Sequence, residues 1–340
     1  MPFMPFTPYP LPNQQALLPL QGCAYQIRTI EAHDADEHAH NLTAWEQRYD
    51  QLTQGSFHGV LTELQMPRMQ VFSEHTSQAV RQSCRVWPDA LWFGVQGQAG
   101  QKARINGRPG AADTIMVRPG GCEFELLTPA DYAIYGIVVR RDALQGIARQ
   151  MGCHIDWPQL DHTEVLHVSE SARLACLQTL ALLVLPPGAA CDEYLPTAGV
   201  AQAEQAVLRA VLAMLDTGTV DKAASNSFRR RQRIVLQARD HVLDHRDQLV
   251  TVPELCQRLH VSRRTLQYCF EDVLGISPLQ YLRAIRLNGA RRELRQSLAN
   301  AQTVGEVAAH WGFWHLSQFA SDYRKLFGQS PSQSLRQRMH

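Results

Sequence analysis

Beginning at Phe57, apolar and polar side chains fall into short alternating runs. Val60, Thr62, Leu64 and Met66 form one set, and Met69, Val71 and Ser73 the next. A period of two is the mark of a strand that buries one face. The apolar run at 91–95 and the segments 114–117, 123–127 and 132–139 extend the series. Asn106-Gly107, between Arg104-Ile105 and Arg108, reads as a two-residue hairpin turn, because both residues tolerate the positive φ it needs. Arg118-Pro119-Gly120-Gly121 and Thr128-Pro129-Ala130-Asp131 separate the later strands. Short strands at this spacing predict a small antiparallel barrel or sandwich. Upstream, residues 1–20 are rich in proline and predict an extended arm, and 42–52 reads as a short helix.

After Arg140 the period lengthens. Leu144, Ile147, Ala148 and Met151 recur at helical spacing, and two longer helices are predicted over 169–185 and 200–215, broken by Pro186-Pro187-Gly188. Val207, Leu208, Val211, Leu212 and Leu215 give the second its apolar stripe. Residues 217–227 are small and polar and read as a linker.

Beyond the linker the chain repeats itself. Gly275-Ile276-Ser277-Pro278-Leu279-Gln280-Tyr281-Leu282-Arg283 returns, at an offset of 53, as Gly328-Gln329-Ser330-Pro331-Ser332-Gln333-Ser334-Leu335-Arg336, with six of nine positions identical. The same offset relates Leu266 to Phe319, Phe270 to Tyr323 and Leu274 to Phe327. Each copy predicts helix, tight turn, helix. Thr251 with Glu254, and Thr303 with Glu306, have the spacing of a capping box, Ser262 caps the following helix, and Gly275 and Gly328 stop the second helices. This is the helix-turn-helix shape, whose second helix enters the major groove of DNA. Between the copies, 277–297 sets Arg283, Arg286, Arg291, Arg292 and Arg295 among apolar residues. As one helix it spans about 31 Å, against about 34–36 Å for one turn of DNA. Such a rod would hold two recognition helices in successive grooves.

These motifs resemble the AraC/XylS family of bacterial transcriptional regulators. The resemblance is carried by Val261-Ser262-Arg263-Arg264-Thr265-Leu266 followed by Gly275, Ser277-Pro278 and Tyr281-Leu282-Arg283. It recurs in Trp311-Gly312-Phe313, Ser317-Gln318-Phe319, Tyr323-Arg324-Lys325 and Phe327-Gly328 with Ser330-Pro331. It covers roughly the last hundred residues; Ser334 stands where the family usually carries an aromatic residue, which would loosen the packing of the last helix. The resemblance implies an α+β chain: an N-terminal cupin-like antiparallel β-barrel with flanking helices, then an all-α domain of two helix-turn-helix units joined by a long helix. The corresponding divisions are an arm at 1–20, an effector-binding and dimerisation domain at 21–216, a linker at 217–227 and a DNA-binding domain at 228–340.

In that geometry, exposed positions early in each second helix reach base edges. They are Arg263, Arg264, Gln267 and Tyr268 in the first copy, and Ser317, Gln318 and Ser321 in the second. Arginine suits guanine O6/N7 and glutamine suits adenine N6/N7. Ser262, Arg286, His315, Arg324 and Lys325 are the candidate phosphate contacts. The shorter readers of the second copy, next to Asp322, assign most of the specificity to the first.

Charge sharpens the picture. The formal net charge of +1 divides into +9 over 228–340, where 17 of 18 basic residues are arginine, and −8 over 1–227. A basic domain suits a polyanion. The 8 cysteines are scattered without a Cys-x-x-Cys pair, as in a reduced, cytoplasmic protein. Met1-Pro2-Phe3 lacks the order of a signal peptide, and no apolar run is long enough for a bilayer. His38-Ala39-His40 with Glu46 reads as a solvated loop rather than a metal site. Glu74 and His75 read equally as pocket lining or a surface ion pair, and Trp87, Trp92, Tyr132 and Tyr135 as pocket or core. No catalytic, cofactor or metal site is expected.

The resulting expectation is a sequence-specific transcriptional activator controlled by a small-molecule effector in its N-terminal domain. Its expected partners are double-stranded DNA, the effector, RNA polymerase (by the family resemblance) and a second copy of the chain, with no membrane. The alternative is a cupin-like small-molecule-binding protein or enzyme whose C-terminal domain tethers it to DNA.

Overall fold

A computed structural model describes residues 25–97, 102–184, 194–195, 197–220, 225–248, 250–296 and 303–337. The expected arm at 1–20 and the Pro186-Pro187-Gly188 break lie outside these residues. The first domain runs β1 (Tyr25–Ala32), α1 (Ala35–Ala39), β2 (Glu46–Gln51), β3 (Gly59–Gln65), β4 (Met69–Thr76), β5 (Val80–Arg85), β6 (Ala90–Gln96), β7 (Arg104–Ile105) and β8 (Arg108–Pro109). It continues with β9 (Thr114–Pro119), β10 (Phe124–Thr128), β11 (Tyr132–Arg140), α2 (Arg141–Met151), α3 (Trp157–Asp161), β12 (Val165–His167), α4 (Glu170–Val184), β13 (Tyr194–Leu195), α5 (Thr197–Asp216) and β14 (Thr219–Val220).

The strands form two antiparallel sheets, ordered β13-β1-β3-β4-β11-β6-β9-β12-β14 and β2-β5-β10-β7-β8. One face of the long sheet, with Leu64, Val71, Phe93 and Ile137, packs on Leu180, Val207 and Val211 of α4 and α5. The other face turns Leu61, Phe72, Trp92 and Val138 toward Ile105, Phe124 and Leu126 of the short sheet. The arrangement is therefore a two-layer sandwich with helices outside it, one of the two forms the strand spacing predicts, and not the cupin-like barrel that the family resemblance implies. Neither sheet's edge strands pair with each other, so each sheet stays open. Two further expectations are corrected. Residues 46–51 form strand β2 and not part of a helix at 42–52. Thr219 and Val220, inside the expected linker, pair with His167 and Leu166 and so extend the first domain's sheet.

The second domain is all helical: α6 (Asn226–Asp244), α7 (Val252–Arg258), α8 (Arg263–Leu274), α9 (Pro278–Gln296), α10 (Val304–His310), α11 (Leu316–Phe327) and α12 (Pro331–Arg336). Its ends are set locally, as the sequence predicts. Thr251 with Glu254 and Thr303 with Glu306 form reciprocal capping boxes. Gly275 and Gly328 end α8 and α11 at φ 74° and 72°, a left-handed conformation that costs a glycine little. The long helix α9 serves both cores. Tyr281, Leu282 and Ile285 join Leu255, Leu266 and Phe270, while Leu287, Ala290 and Leu294 join Val307, Trp311, Phe319 and Tyr323. Ser334 does not loosen this packing. It is fully buried and accepts a 2.7 Å hydrogen bond from the Tyr323 hydroxyl.

The arginines of α9 do not form a free surface. Arg291 binds Asp34, and Arg295 reaches the same carboxylate at 3.2 Å and Glu37 at 3.4 Å. Arg292 donates to Asp50 at 2.9 Å, and Asp50 also meets Arg81 at 3.2 Å. Glu125 joins Arg81 at 2.6 Å and Arg239 of α6 at 3.2 Å. Asn288 exchanges two 2.9 Å hydrogen bonds with the backbone of Gln51. These groups sit on α1 and on the outer face of the short sheet, so the two domains meet across a buried ionic seam. Burial alone would raise the Asp34 carboxyl, but Arg291 and Arg295 outweigh it and hold the group below the ordinary carboxylate range. Asp50 is likewise opposed by burial and held low by Arg292 and Arg81. Asp36 moves the other way, raised by burial and by the neighbouring Asp34 and Asp50 charges against the pull of Arg292.

Two predictions follow from this packing. A Cβ at Gly289 would lie 2.1 Å from the Trp311 ring. Gly289→Ala should therefore destabilise by about 1–3 kcal/mol through overpacking, despite alanine's higher helix propensity, and urea unfolding would register the loss. Asp34 and Asp50 have depressed native values, so their contribution is complete above the unfolded value of about 4. It should fall away as pH drops through the native values. Asp34→Asn keeps an oxygen to cap α1 but removes the charge facing two guanidiniums. It should cost about 3–5 kcal/mol and flatten the acid limb of stability in pH-dependent unfolding.

Candidate nucleic-acid interface

Ser262 starts α8 by accepting from the Thr265 amide at 3.1 Å, which fixes where the helix's faces point. Leu266, Cys269, Phe270, Val273 and Leu274 then turn inward. Arg263, Arg264 and Tyr268 are left exposed and Gln267 half-buried on the opposite face. The four sequence-predicted readers of the first copy thus lie together on one helix surface. Neighbours position two of them: Gln267 donates to Glu271 at 2.7 Å, and Arg231 of α6 stacks 5.5 Å above the Tyr268 ring. Arg231 is itself anchored on Asp272 at 2.7 Å.

In α11 the inward residues are Phe319, Tyr323, Leu326 and Phe327, and Ser317, Gln318 and Ser321 are exposed. Gln318 donates to Asp322 at 2.9 Å, and Asp322 also binds Arg283 of α9. The acid next to the second readers is thereby neutralised within the protein. His315 occupies the N-cap position without a capping side-chain bond, unlike Ser262 in the first copy.

The phosphate candidates divide. Ser262, His315, Arg324 and Lys325 are exposed. Arg286 is not. It is buried, and its guanidinium donates to the Gln248 carbonyl, with burial pulling it below the usual arginine value. Its position on α9 faces the protein interior, and the structure removes it from the exposed set. The sequence reading also passed over Trp314 and Leu316, which are 64% and 52% exposed beside the second set of readers. The signal was available: the offset of 53 that aligns the repeats places Leu316 on Arg263.

A second polar cluster lies between the two sheets of the first domain. Glu74 is buried there, accepts from the Tyr49 hydroxyl at 2.8 Å, and has His38 Nε2 at 3.1 Å. His38 is thus an interior residue and not part of a solvated loop. His75, one position along β4, points outward to Asp131 at 2.8 Å. Among the described residues, the Tyr132 hydroxyl, Trp92 Nε1 and Thr76 Oγ1 are buried without a hydrogen-bond partner. Burial and the nearby Glu74 carboxylate push the Tyr132 phenol well up. An acceptor placed between the sheets would relieve these donors, since an unsatisfied buried polar group costs about 1–3 kcal/mol.

Comparison with known proteins bears on the helical domain. Residues 255–337 match the family model described as a helix-turn-helix domain. Over 103 residues the chain is 39% identical to a probable thc operon regulatory protein of Rhodococcus erythropolis, covering 30% of this chain and 31% of that one. Over 155 residues it is 29% identical to XylDLEGF operon transcriptional activator 3 of Pseudomonas putida, covering 44% and 46%. The crystal structure of an AraC-type transcriptional regulator from Chromobacterium violaceum aligns with 32% of this chain and 95% of its own, at 27% identity and a TM-score of 0.30. The match thus spans less than half the length of the two operon regulators. No helix among the described residues is long and apolar enough to cross a membrane. The duplicated, capped helix-turn-helix units and the family match over residues 255–337 show a helix-turn-helix domain, similar in sequence to those of the two operon regulators.

Proposed function

We propose that the chain is a cytoplasmic, sequence-specific transcriptional activator whose promoter occupancy responds to a small molecule held in its N-terminal domain. The observation that carries the reading is the outer face of α8. Arg263, Arg264, Gln267 and Tyr268 stand together there, backed by a buried apolar stripe, in a domain with a surplus of arginine. Two bidentate-capable arginines and a glutamine on one helix face are suited to base edges in a major groove. Ser317, Gln318 and Ser321 offer shorter contacts from α11, and Ser262, His315, Arg324 and Lys325 are suited to phosphates. Support for activation comes from the name of the Pseudomonas relative, and RNA polymerase is the partner that such a role requires.

The effector site of this reading lies between the two open sheets of the cupin-like domain, beside the buried Glu74 cluster. The unpartnered Tyr132 hydroxyl and Trp92 indole favour a ligand with hydrogen-bond acceptors. A thermal-shift screen of small metabolites on the full chain tests it, and Tyr132→Phe should weaken any hit. No observation favours catalysis.

Footprinting on DNA flanking the chain's own gene tests the central claim, with protection expected over two adjacent major grooves. Arg264→Ala should lose about 1–3 kcal/mol at one base position and relax the preference there. A uniform loss on every sequence in a titration of single-base variants would assign Arg264 to a phosphate instead.

A further inference from the structure

Resting on that DNA-binding reading, we infer that Leu316, with Trp314 beside it, reads thymine methyl groups, so the second half-site is selected by apolar contact. The repeat supplies the comparison. At an offset of 53, Leu316 occupies the place of Arg263 and Ser317 that of Arg264. Both helices begin at that first residue, run 12 residues and end at a left-handed glycine, so the positions are structurally equivalent. One unit therefore presents two guanidiniums where the other presents an isobutyl group and a hydroxyl.

A single exposed apolar residue needs no account. Here two lie two positions apart, 64% and 52% exposed, at the end of α11 that also carries Ser317 and Gln318. Neither is spent on the core: the helix buries Phe319, Tyr323, Leu326 and Phe327 instead. In the major groove the feature that an apolar side chain can recognise is the thymine C5-methyl, while arginine recognises guanine O6 and N7. The chemistry of the two helices thus assigns guanine to the first half-site and thymine to the second.

The test begins with a duplex selected by the full-length protein from a random pool. Each thymine in the half-site protected by α11 is then replaced by deoxyuridine, which removes only the methyl group. At one or two positions this should weaken binding about four-fold, the value of one buried methylene-sized group. Leu316→Ala should bind the thymine duplex less well and lose the thymine preference, while remaining as sensitive as the parent to changes in the first half-site. That retained sensitivity also shows the variant is folded. If the parent ignores deoxyuridine throughout the second half-site, or Leu316→Ala discriminates as well as the parent, the inference is overturned and the DNA-binding reading stands. If no duplex is selected from the pool, both are overturned.

Discussion

The ionic seam between α9 and the first domain is the constraint on which the rest of the arrangement depends. Taking a charge out of water costs several kcal/mol even after relaxation, and a buried pair often no more than offsets that cost. Its leverage lies in what happens when it is broken. A guanidinium or carboxylate left buried alone is strongly unfavourable, so Arg291, Arg292 and Arg295 tolerate few placements other than against Asp34, Asp36 and Asp50. Asn288 adds direction, because its amide pairs with both backbone groups of Gln51 as a neighbouring strand would. The position of α9, and with it of both helix-turn-helix units, is tied to the sandwich by groups that fit only in register.

This changes how the domain's charge should be counted. Arginines that neutralise carboxylates within the chain release no counterions from DNA, and counterion release is the main source of sequence-independent affinity. While the domains are docked, the cations free for a phosphate backbone are therefore those on other surfaces. Arg229, Arg230 and Arg233 of α6, Arg263 and Arg264 of α8, and Arg324 and Lys325 of α11 are exposed. An exposed surplus therefore remains, and part of it lies on α8 and α11, which carry the proposed readers. The long helix is a spacer whose polar side belongs to the protein and not to the duplex.

What could be read from the sequence follows from how local the physics is. Capping boxes, glycine stops and the Leu266/Phe270 stripe are decided within a few residues, and the helical domain matches them closely. Alternation exposed β3 and β4, and apolar segments between turn signals exposed β6 and β11. Strands β2 and β5, written Glu-Gln-Arg-Tyr-Asp-Gln and Val-Arg-Gln-Ser-Cys-Arg, gave no such signal. Over Tyr49–Gln51 and Val80–Cys84 these strands are buried, and the groups turned toward the second domain include the charged Asp50 and Arg81. A charged residue normally reads as solvated. Asp50, Arg81, Arg286 and Arg291 are buried because their partners lie far away along the chain, and no local pattern reports such pairing. The choice between barrel and open sandwich stayed undecided in the strand pattern for a related reason: closure depends on whether distant edge strands meet, which periodicity does not encode.

Strand β2 joins the two polar regions of the molecule. Successive side chains of a strand point to opposite faces, and here Tyr49 points between the sheets to Glu74 while Asp50 points out to Arg292 and Arg81. Helix α1 has the same double attachment. Asp34 caps it through the Asp36 and Glu37 amides at 3.0 Å and binds Arg291, and His38 one turn later faces Glu74. A one-residue slip of β2 would exchange its faces, burying Asp50 against the apolar interior and turning Tyr49 toward the arginines. Both changes carry desolvation costs. The interior cluster and the seam therefore fix each other's register, and neither can be rearranged without moving the short elements that hold the helical domain in place.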